Sequence, residues 1–202
     1  MIVHPEIATR IRVVVSDCDG VLTDGRVTYV PGHWNTNAGT AHDGFRESCT
    51  YSRRDGRGVE KLRAMGIAFE MVTREQSTGP HAARAAKLRC VLLPRPQNES
   101  RLDAVRAIAM GTRETGRPEL AHVCYVGDSD TDAEALHSVA NHGGLAVTPH
   151  DGHEGLWRCD ECSGPPDCSG PHNIHIHRAS TPGGFGVIEE IADAIAEGRV
   201  MR

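Results

Sequence analysis

Two acidic clusters and one threonine each follow directly on a short apolar run of the sequence. They are Asp17-Cys-Asp-Gly20, Gly127-Asp-Ser-Asp-Thr-Asp132 and Thr73. Carboxylates that converge repel one another and do not all stay ionised unless a cation joins them. Hard oxygen ligands favour magnesium, which binds proteins through one or two carboxylates together with substrate phosphate. Carboxylates, a hydroxyl and a nearby cationic side chain together predict a site for phosphoryl transfer.

The elements that must position these residues alternate between buried strands and amphipathic helices. Apolar runs predict strands at Ile11–Ser16, Ile67–Val72, Cys90–Leu93, His122–Val126, Gly144–Val147 and Asn173–Arg178. Apolar residues at helical spacing predict helices at Asp55–Met65, Ser77–Leu88, Arg101–Met110, Ala133–Ala140 and Gly186–Glu197. This alternation predicts an α/β fold, a Rossmann-like three-layer sandwich with a central parallel sheet. In such sheets the ligand site lies beyond the carboxyl ends of the strands, where the acidic clusters stand.

Length and composition limit the classes of function. The 202 residues are about one domain's worth of chain, with 39% hydrophobic and 24% charged residues, as in ordinary globular proteins. A net charge of −5 and only 4% aromatic residues argue against nucleic-acid binding. The first residues hold no apolar stretch of signal-peptide length, and no run approaches the roughly 18 apolar residues of a membrane span. We therefore expect a single cytoplasmic domain over 1–202 with no nucleic-acid or membrane partner.

The motifs resemble those of the haloacid dehalogenase (HAD) superfamily. Asp17-Cys-Asp-Gly-Val-Leu-Thr-Asp-Gly25 is similar to its first motif, DxDGVxTDG, and Gly127–Asp132 is similar to its acidic motif GDxxxD. Arg54-Asp-Gly56 and the turn Gly183-Gly-Phe-Gly186 resemble the branch of 3-deoxy-D-manno-octulosonate 8-phosphate phosphatases and related sugar-acid phosphatases. The resemblance covers most of residues 11–150 and 176–196.

The resemblance implies a role for each matching residue. Asp17 would be the nucleophile that forms an aspartyl phosphate, and Asp19 the general acid and base. Thr73 would hold a phosphoryl oxygen. Magnesium would be bound by Asp128, the Asp17 carboxylate and the Asp19 backbone carbonyl, with Asp132 supporting the metal shell or the nearby cation.

Two positions depart from the family pattern. The second motif is usually Thr-Gly-Arg, whereas this chain has Thr73-Arg74-Glu75, which changes how closely the backbone approaches phosphate. The third motif is commonly a lysine before a helix, and the matching residue here is Arg101, with Lys87 as the rival. Gly20, Arg54 and Arg74 are further predicted substrate-binding residues, although Arg54 could equally be a surface residue.

The spacing leaves no room for a cap domain. Between Asp19 and Thr73 only a hairpin-sized insertion remains, a flap at about 26–54. Capless members of the superfamily either act on large substrates or use a neighbouring subunit to close the site, and the branch resembled here forms tetramers. The resemblance therefore implies a homo-oligomer, with a tetramer favoured.

A segment rich in cysteine and histidine, at about 150–178, forms a second candidate metal site. Clustered cysteines without a secretion signal indicate metal ligands before disulfides, and thiolates with imidazoles suit tetrahedral zinc. Its candidate ligands are Cys159, Cys162, Cys168, His172 and His175. The spacing does not decide which histidine completes the site, and a flexible loop or an incidental disulfide is the alternative.

These observations lead to one preferred function and one rival. The preferred function is a capless, magnesium-dependent HAD-type phosphatase, a phosphoric monoester hydrolase acting on a phosphorylated sugar or sugar acid. The rival is a degenerate phosphatase scaffold that serves as a zinc-stapled interaction or regulatory module. The altered second motif and the cysteine-rich segment motivate the rival.

Overall fold

The structure is a computed structural model that describes residues 1–31, 45–75, 79–94, 99–111, 120–156 and 176–201. Its centre is a six-stranded sheet in which every neighbouring pair of strands is parallel. The strands of this sheet are β1 (Val13–Asp17), β4 (Ala68–Thr73), β5 (Leu92–Pro94), β6 (Val123–Val126), β7 (Leu145–Thr148) and β8 (Ile176–Arg178). Their spatial order is β5-β4-β1-β6-β7-β8, so β1 is central and lies between β4 and β6.

Helices cover both faces of the sheet. They are α1 (Pro5–Arg10), α2 (Arg53–Ala64), α3 (Gly79–Leu88), α4 (Arg101–Gly111), α5 (Ala133–Asn141) and α6 (Val187–Val200). Apolar residues of α1, α2, α3 and α6 form one buried cluster against the sheet, and those of α4 and α5 form a second. The predicted fold class, a three-layer α/β sandwich around a parallel sheet, is confirmed.

The central strand β1 begins with three apolar residues, Val13 to Val15, because both of its faces are covered. All five residues of β1 are buried. Val14 packs in the cluster with α2 and α6, whereas Val13 and Val15 pack in the cluster with α4 and α5. The alternation follows from the period of two along a strand, and it fixes which face each side chain takes. It also fixes the face of the sheet on which the side chain of Asp17, the last residue of β1, lies.

A small antiparallel hairpin stands apart from the sheet. It pairs β2 (Thr28–Pro31) with β3 (Phe45–Ser48). It lies within the predicted flap at about 26–54, but that range runs too far, since α2 begins at Arg53. The predicted insertion at about 150–178 is also too wide, because β8 belongs to the main sheet and Leu156 is buried.

The N-terminal helix α1 was not expected from the sequence. Ala8 on this helix is fully buried, and Arg199 of α6 donates hydrogen bonds to the backbone oxygens of Ala8 and Ile11. These contacts fix the start of the chain against the last helix. Among the described residues, no helix is long and apolar enough to span a membrane.

Candidate active site

Three neighbouring strands end at one edge of the sheet and bring the predicted residues together. In the parallel register Asp17 lies beside Val72, the residue before Thr73, and Ser16 lies beside Val126, the last residue of β6. The chain then passes from Val126 through Gly127 to the second acidic cluster. Asp17, Thr73 and Asp128 are therefore carried by adjacent strand ends, as the rule for open α/β sheets predicts.

Three carboxylates form the centre of the site. Asp17, Asp128 and Asp132 each offer an oxygen that lies within 4.8 Å of those of the other two. Burial and repulsion by Asp132 raise the pKa of Asp17 well above its ordinary value, although Arg101 opposes the shift. Burial, with further repulsion from Asp132, raises the pKa of Asp128 to about 7. Such shifts are what uncompensated carboxylates show at close range, and a divalent cation held by oxygen ligands would relieve them. The donor set thus fits magnesium.

Gly20 makes the close approach of Asp128 possible. Its φ is +76°, in the left-handed region that favours glycine. A Cβ atom at Gly20 would lie 2.0 Å from Oδ2 of Asp128. The predicted substrate-binding residue Gly20 therefore has a steric function in the structure, since any larger residue would displace the Asp128 carboxylate.

Arg101, at the first position of α4, is the cation of the site. Its side chain is only 6% exposed, and its Nη2 lies 2.9 Å from Oδ1 and 3.0 Å from Oδ2 of Asp17. Its Nε lies 3.3 Å from Oδ1 of Asp132. Nη1 is buried and has no hydrogen-bond partner among the described residues, so this donor is available to an anionic ligand. The rival Lys87 is exposed in the last turn of α3 and does not contact this cluster.

Asp132 is held by a set of protein donors. Tyr125 donates its hydroxyl proton to Oδ1 at 2.5 Å, while the backbone amides of Asp128 and Ser129 donate to Oδ2. The Ser129 hydroxyl donates to the same Oδ2 at 3.2 Å. Sequence reasoning missed Tyr125, which is fully buried on β6 and carries no motif of its own. Its position inside a buried strand is the only signal, since a buried tyrosine hydroxyl needs a partner.

The side chain of Asp19 does not belong to the carboxylate cluster. Its Oδ1 accepts a hydrogen bond from Thr23 Oγ1 at 3.2 Å, and its Oδ2 lies 3.0 Å from Nε2 of His81. Burial raises the pKa of the Asp19 carboxyl, but the hydrogen bonds from His81 and Thr23 outweigh burial, so that this pKa is lowered from its ordinary value. His81 was missed in the sequence, because nothing in a helical run of small residues marks one histidine as facing the site.

The altered second motif gives Thr73 and Arg74 different surroundings. Thr73 is 1% exposed, and its Oγ1 accepts a hydrogen bond from the Glu75 amide at 3.0 Å, which leaves the hydroxyl proton for another acceptor. Arg74 turns towards the segment before α4, where its Nη2 donates to the backbone oxygen of Glu99. The Nε of Arg74 is buried and has no partner among the described residues.

The predicted substrate residue Arg54 lies at the start of α2, in an ion pair. Its Nε lies 2.8 Å from Oε2 of Glu189 on α6, and its side chain is 55% exposed. Arg57 donates to both oxygens of the same carboxylate. These hydrogen bonds lower the pKa of Glu189 to about 2. Arg54 is thus both a surface residue and a structural partner of α6, and the exposed part of its guanidinium is open to solvent.

The predicted zinc site depends on five cysteine and histidine residues of one segment. Cys159, Cys162, Cys168, His172 and His175 all lie outside the described residues. Elsewhere in the described part of the chain, the acidic cluster is the one group of side chains with the spacing of metal ligands.

Comparisons with known proteins give matches at the level of structure. No family model and no curated protein matches the sequence. A crystal structure of 3-deoxy-D-manno-octulosonate 8-phosphate phosphatase from Moraxella catarrhalis, in complex with magnesium, phosphate and KDO, matches with a TM-score of 0.69 at 20% identity. The match covers 96% of this chain and 91% of that one.

Two further structures agree with the first. The same phosphatase from Yersinia pestis matches with a TM-score of 0.70 at 21% identity, over 96% of this chain and 85% of that one. The cobalt-bound deoxy-D-mannose-octulosonate 8-phosphate phosphatase from Haemophilus influenzae matches with a TM-score of 0.65 at 22% identity, over 95% and 91%. The chain therefore has the fold of these phosphatases, and the predicted resemblance is confirmed at the level of the fold.

Proposed function

We propose that this protein is a magnesium-dependent phosphatase that hydrolyses a phosphorylated sugar or sugar acid through an aspartyl phosphate on Asp17. The observation that carries the proposal is the grouping of Asp17, Asp128 and Asp132 around one buried arginine at the carboxyl edge of the sheet. A nucleophile, a metal-binding carboxylate pair and a cation are what phosphoryl transfer requires at one place. The fold shared with HAD phosphatases supports the same function.

In the first half of the reaction a carboxylate oxygen of Asp17 attacks phosphorus. The bond from phosphorus to the ester oxygen breaks, and Asp19, which acts here in its protonated form, gives its proton to that oxygen, so that the alcohol leaves neutral. The Nη1–H of Arg101 and the hydroxyl of Thr73 are the free donors for the other phosphoryl oxygens. Because both donors are buried, they require little reorganisation as negative charge spreads over those oxygens.

In the second half Asp19 accepts a proton from a water molecule, and the resulting hydroxide oxygen attacks phosphorus. The bond between phosphorus and Asp17 breaks, which releases inorganic phosphate and restores the carboxylate. Magnesium, held by Asp17 and Asp128 with Asp132 behind them, would supply positive charge that offsets the repulsion between nucleophile and phosphate. Asp132 fixes Arg101 in place for both halves through its contact with Nε.

The substrate class is proposed from the neighbours and from the exposed guanidinium of Arg54. The Moraxella catarrhalis structure contains KDO, a sugar acid, beside magnesium and phosphate. Arg54 on this chain carries a half-exposed guanidinium, which could bind a sugar carboxylate on its free edge while Nε keeps the bond to Glu189. We therefore favour a phosphorylated sugar acid over a neutral sugar phosphate, in a cytoplasmic enzyme.

The exposed hairpin supports assembly into a homo-oligomer, with a tetramer favoured. Val27 and Tyr29 at the hairpin are 53% and 57% exposed, and Phe185, in the turn before α6, is 58% exposed. A site without a cap domain gains closure when such a hairpin packs on a neighbouring copy. Light scattering coupled to size exclusion tests the oligomer, and a monomer at all concentrations would contradict it.

The function is tested by phosphate release from a panel of phosphorylated sugars and sugar acids. We expect turnover that depends on added magnesium and falls to background in Asp17→Asn. Asp130→Asn is the matched control, because Asp130 is an exposed acid two residues from Asp128 and outside the cluster. Full activity of Asp17→Asn would refute the assignment of Asp17 as the nucleophile. No turnover of any member of the panel by the wild type would instead favour the rival function, a degenerate scaffold.

A further inference from the structure

A chain of hydrogen bonds runs from the protein interior to the carboxylate of Asp19. The Asp19 side chain is 42% exposed, whereas the side chain of its partner His81 is 3% exposed. Behind His81, its Nδ1 lies 2.6 Å from the hydroxyl oxygen of Tyr51. The exposed carboxylate is therefore hydrogen-bonded to a buried histidine, which is itself hydrogen-bonded to the half-buried Tyr51.

With a neutral imidazole at His81, one direction of the hydrogen bonds suits all three groups. An ionised carboxylate only accepts, so the proton between His81 and Asp19 belongs to Nε2 of His81. In the neutral ring Nδ1 then carries the lone pair and accepts the hydroxyl proton of Tyr51. Burial raises the pKa of the Tyr51 phenol, which keeps this proton in place. The order is Tyr51 to His81 to Asp19, with each donor pointing towards the site.

Helix α3 holds Tyr51 as well as His81. The guanidinium carbon of Arg84, one turn after His81, lies 5.3 Å from the centre of the Tyr51 ring. Arg84 also donates from Nη2 to the backbone oxygen of Ser52 at 2.7 Å. The rings of Tyr51 and His81 meet edge to face, with their centres 6.2 Å apart. Since Tyr51 follows the hairpin strand β3, α3 joins the base of the flap to the predicted acid–base residue.

We propose that His81 and Tyr51 are positioning residues that orient the Asp19 carboxyl group towards the leaving oxygen of the substrate. The inference rests on the proposed phosphatase function, and it assigns a role to two residues that belong to none of the sequence motifs. Each carboxylate oxygen of Asp19 keeps one lone-pair direction after accepting from His81 or Thr23. The group is therefore held without losing the capacity to carry the transferred proton.

The proposal makes a prediction that depends on the leaving group. A nitrophenolate departs from phosphorus without needing a proton, whereas the alkoxide of a sugar needs one in the transition state. Loss of the orientation of Asp19 should therefore slow the cleavage of a sugar phosphate more than that of p-nitrophenyl phosphate. The informative quantity is kcat/KM, because it reports the steps up to the cleavage of the ester bond.

The experiment compares His81→Leu, His81→Gln and Tyr51→Phe with the wild type on both substrates. For His81→Leu we expect kcat/KM on the sugar phosphate to fall by about 10- to 100-fold, the range for a misplaced catalytic group. On p-nitrophenyl phosphate the fall should be roughly threefold or less, because that leaving group needs little general-acid assistance. His81→Gln should recover most of the loss, since its amide N–H replaces the donor at Nε2. Tyr51→Phe should show the same selectivity to a smaller degree.

Several results would overturn the proposal. An equal fall on both substrates in His81→Leu would mean that His81 acts through the structure as a whole. A glutamine variant no better than leucine would exclude the hydrogen bond as the cause. Failure of the wild type to cleave any phosphate ester would remove the proposed function along with this inference, whereas an active wild type with unselective variants would remove the inference alone.

A second measurement is independent of activity and of the folding of the leucine variant. Nitrogen-15 NMR of the imidazole in the wild-type protein should show His81 protonated at Nε2, with its resonance assigned by its loss in His81→Gln. A ring protonated only at Nδ1 would contradict the proposed order of donors, because Nε2 would then have no proton for Asp19.

Discussion

Replacing Asp128 by asparagine should stabilise the protein when magnesium is absent. The pKa of Asp128 is raised by burial and by Asp132 from 3.8 to about 7. A shift of about three pKa units corresponds to roughly 4 kcal/mol of unfavourable free energy for the charged form. Because the carboxyl group is only partly buried, solvent screening reduces this figure, and we expect Asp128→Asn to gain about 2 kcal/mol in free energy of unfolding at pH 8.

The size of this effect depends on pH within a defined window. Between pH 3.8 and about 7 the folded state keeps a proton on Asp128 that the unfolded chain has lost. The contribution of Asp128 to the wild-type free energy of unfolding therefore falls as the pH rises through this window, and the variant lacks that contribution. The difference between variant and wild type should be close to zero below pH 4, grow up to pH 7 and stay constant above it.

Magnesium should reverse the order of stability. At a magnesium concentration 100 times the dissociation constant, the wild type gains about 2.7 kcal/mol, whereas Asp128→Asn gains little because it has lost a ligand. The assay is urea unfolding at several pH values in magnesium-free buffer and in magnesium. Chelators are left out, so that any zinc at the predicted cysteine-rich site would not be removed. Asp130→Asn, on an exposed acid, should stay within about 0.5 kcal/mol of the wild type throughout.

Two outcomes would refute the reasoning about Asp128. The first is a variant less stable than the wild type at pH 8 without magnesium, since it would mean that the Asp128 charge is already compensated by protein groups. The second is equal stabilisation of wild type and variant by magnesium, which would place the metal elsewhere.

Three further predictions concern the rest of the chain. Burial raises the pKa of Asp55 to about 6, so the free energy of unfolding of the wild type should fall by up to about 3 kcal/mol as the pH rises from 4 to 7. Asp55→Asn should remove this fall, which urea unfolding at several pH values measures. An unchanged dependence on pH in the variant would contradict the prediction. Gly58→Ala should lower the free energy of unfolding by about 1–3 kcal/mol, because a Cβ atom there would lie 2.5 Å from the backbone nitrogen of Glu189 on α6. An unchanged melting temperature would contradict this close packing of α2 on α6. Metal analysis of reduced protein, purified without added metal, should find about one zinc ion per chain. A zinc content near zero would rule the site out. The candidate ligands are three cysteines and one histidine, namely Cys159, Cys162, Cys168 and His172 or His175.

The strands and the centre of the site could be predicted from the sequence for one physical reason. A strand that is buried on both faces must be apolar along its length, so its end is marked where the first charged residue appears, as at Asp17. The carboxyl ends of parallel strands meet at one edge. The local sequence therefore indicates that Asp17, Thr73 and Asp128, which are far apart in the chain, lie at the same edge of the sheet.

The supporting residues could not be predicted in the same way. Whether His81 faces Asp19 depends on how α3 is rotated against the sheet, which is set by the packing of Ala85 and Leu88. A helix buries several positions on one face, and the sequence alone does not indicate which of them meets a functional group. Tyr125 had the same status, since its hydroxyl finds Asp132 only once β6 and the following turn are folded. The end of the flap and the helix α1 as a whole were missed because short elements depend on tertiary contacts.

Asp128 and Asp132, the two carboxylates of the second acidic motif that belong to the cluster, are not equivalent, and the difference indicates which one would gain more from a metal ion. Asp132 is surrounded by donors from Tyr125, Ser129 and the backbone, and it also contacts Arg101, so the protein itself fixes its orientation. Asp128 lies against Gly20, and burial together with the charge of Asp132 raises its pKa. A divalent cation would therefore gain most from Asp128 and Asp17, while Asp132 keeps Arg101 directed at the nucleophile. On this argument Asp132→Asn should weaken magnesium binding less than Asp128→Asn does, although both should reduce turnover.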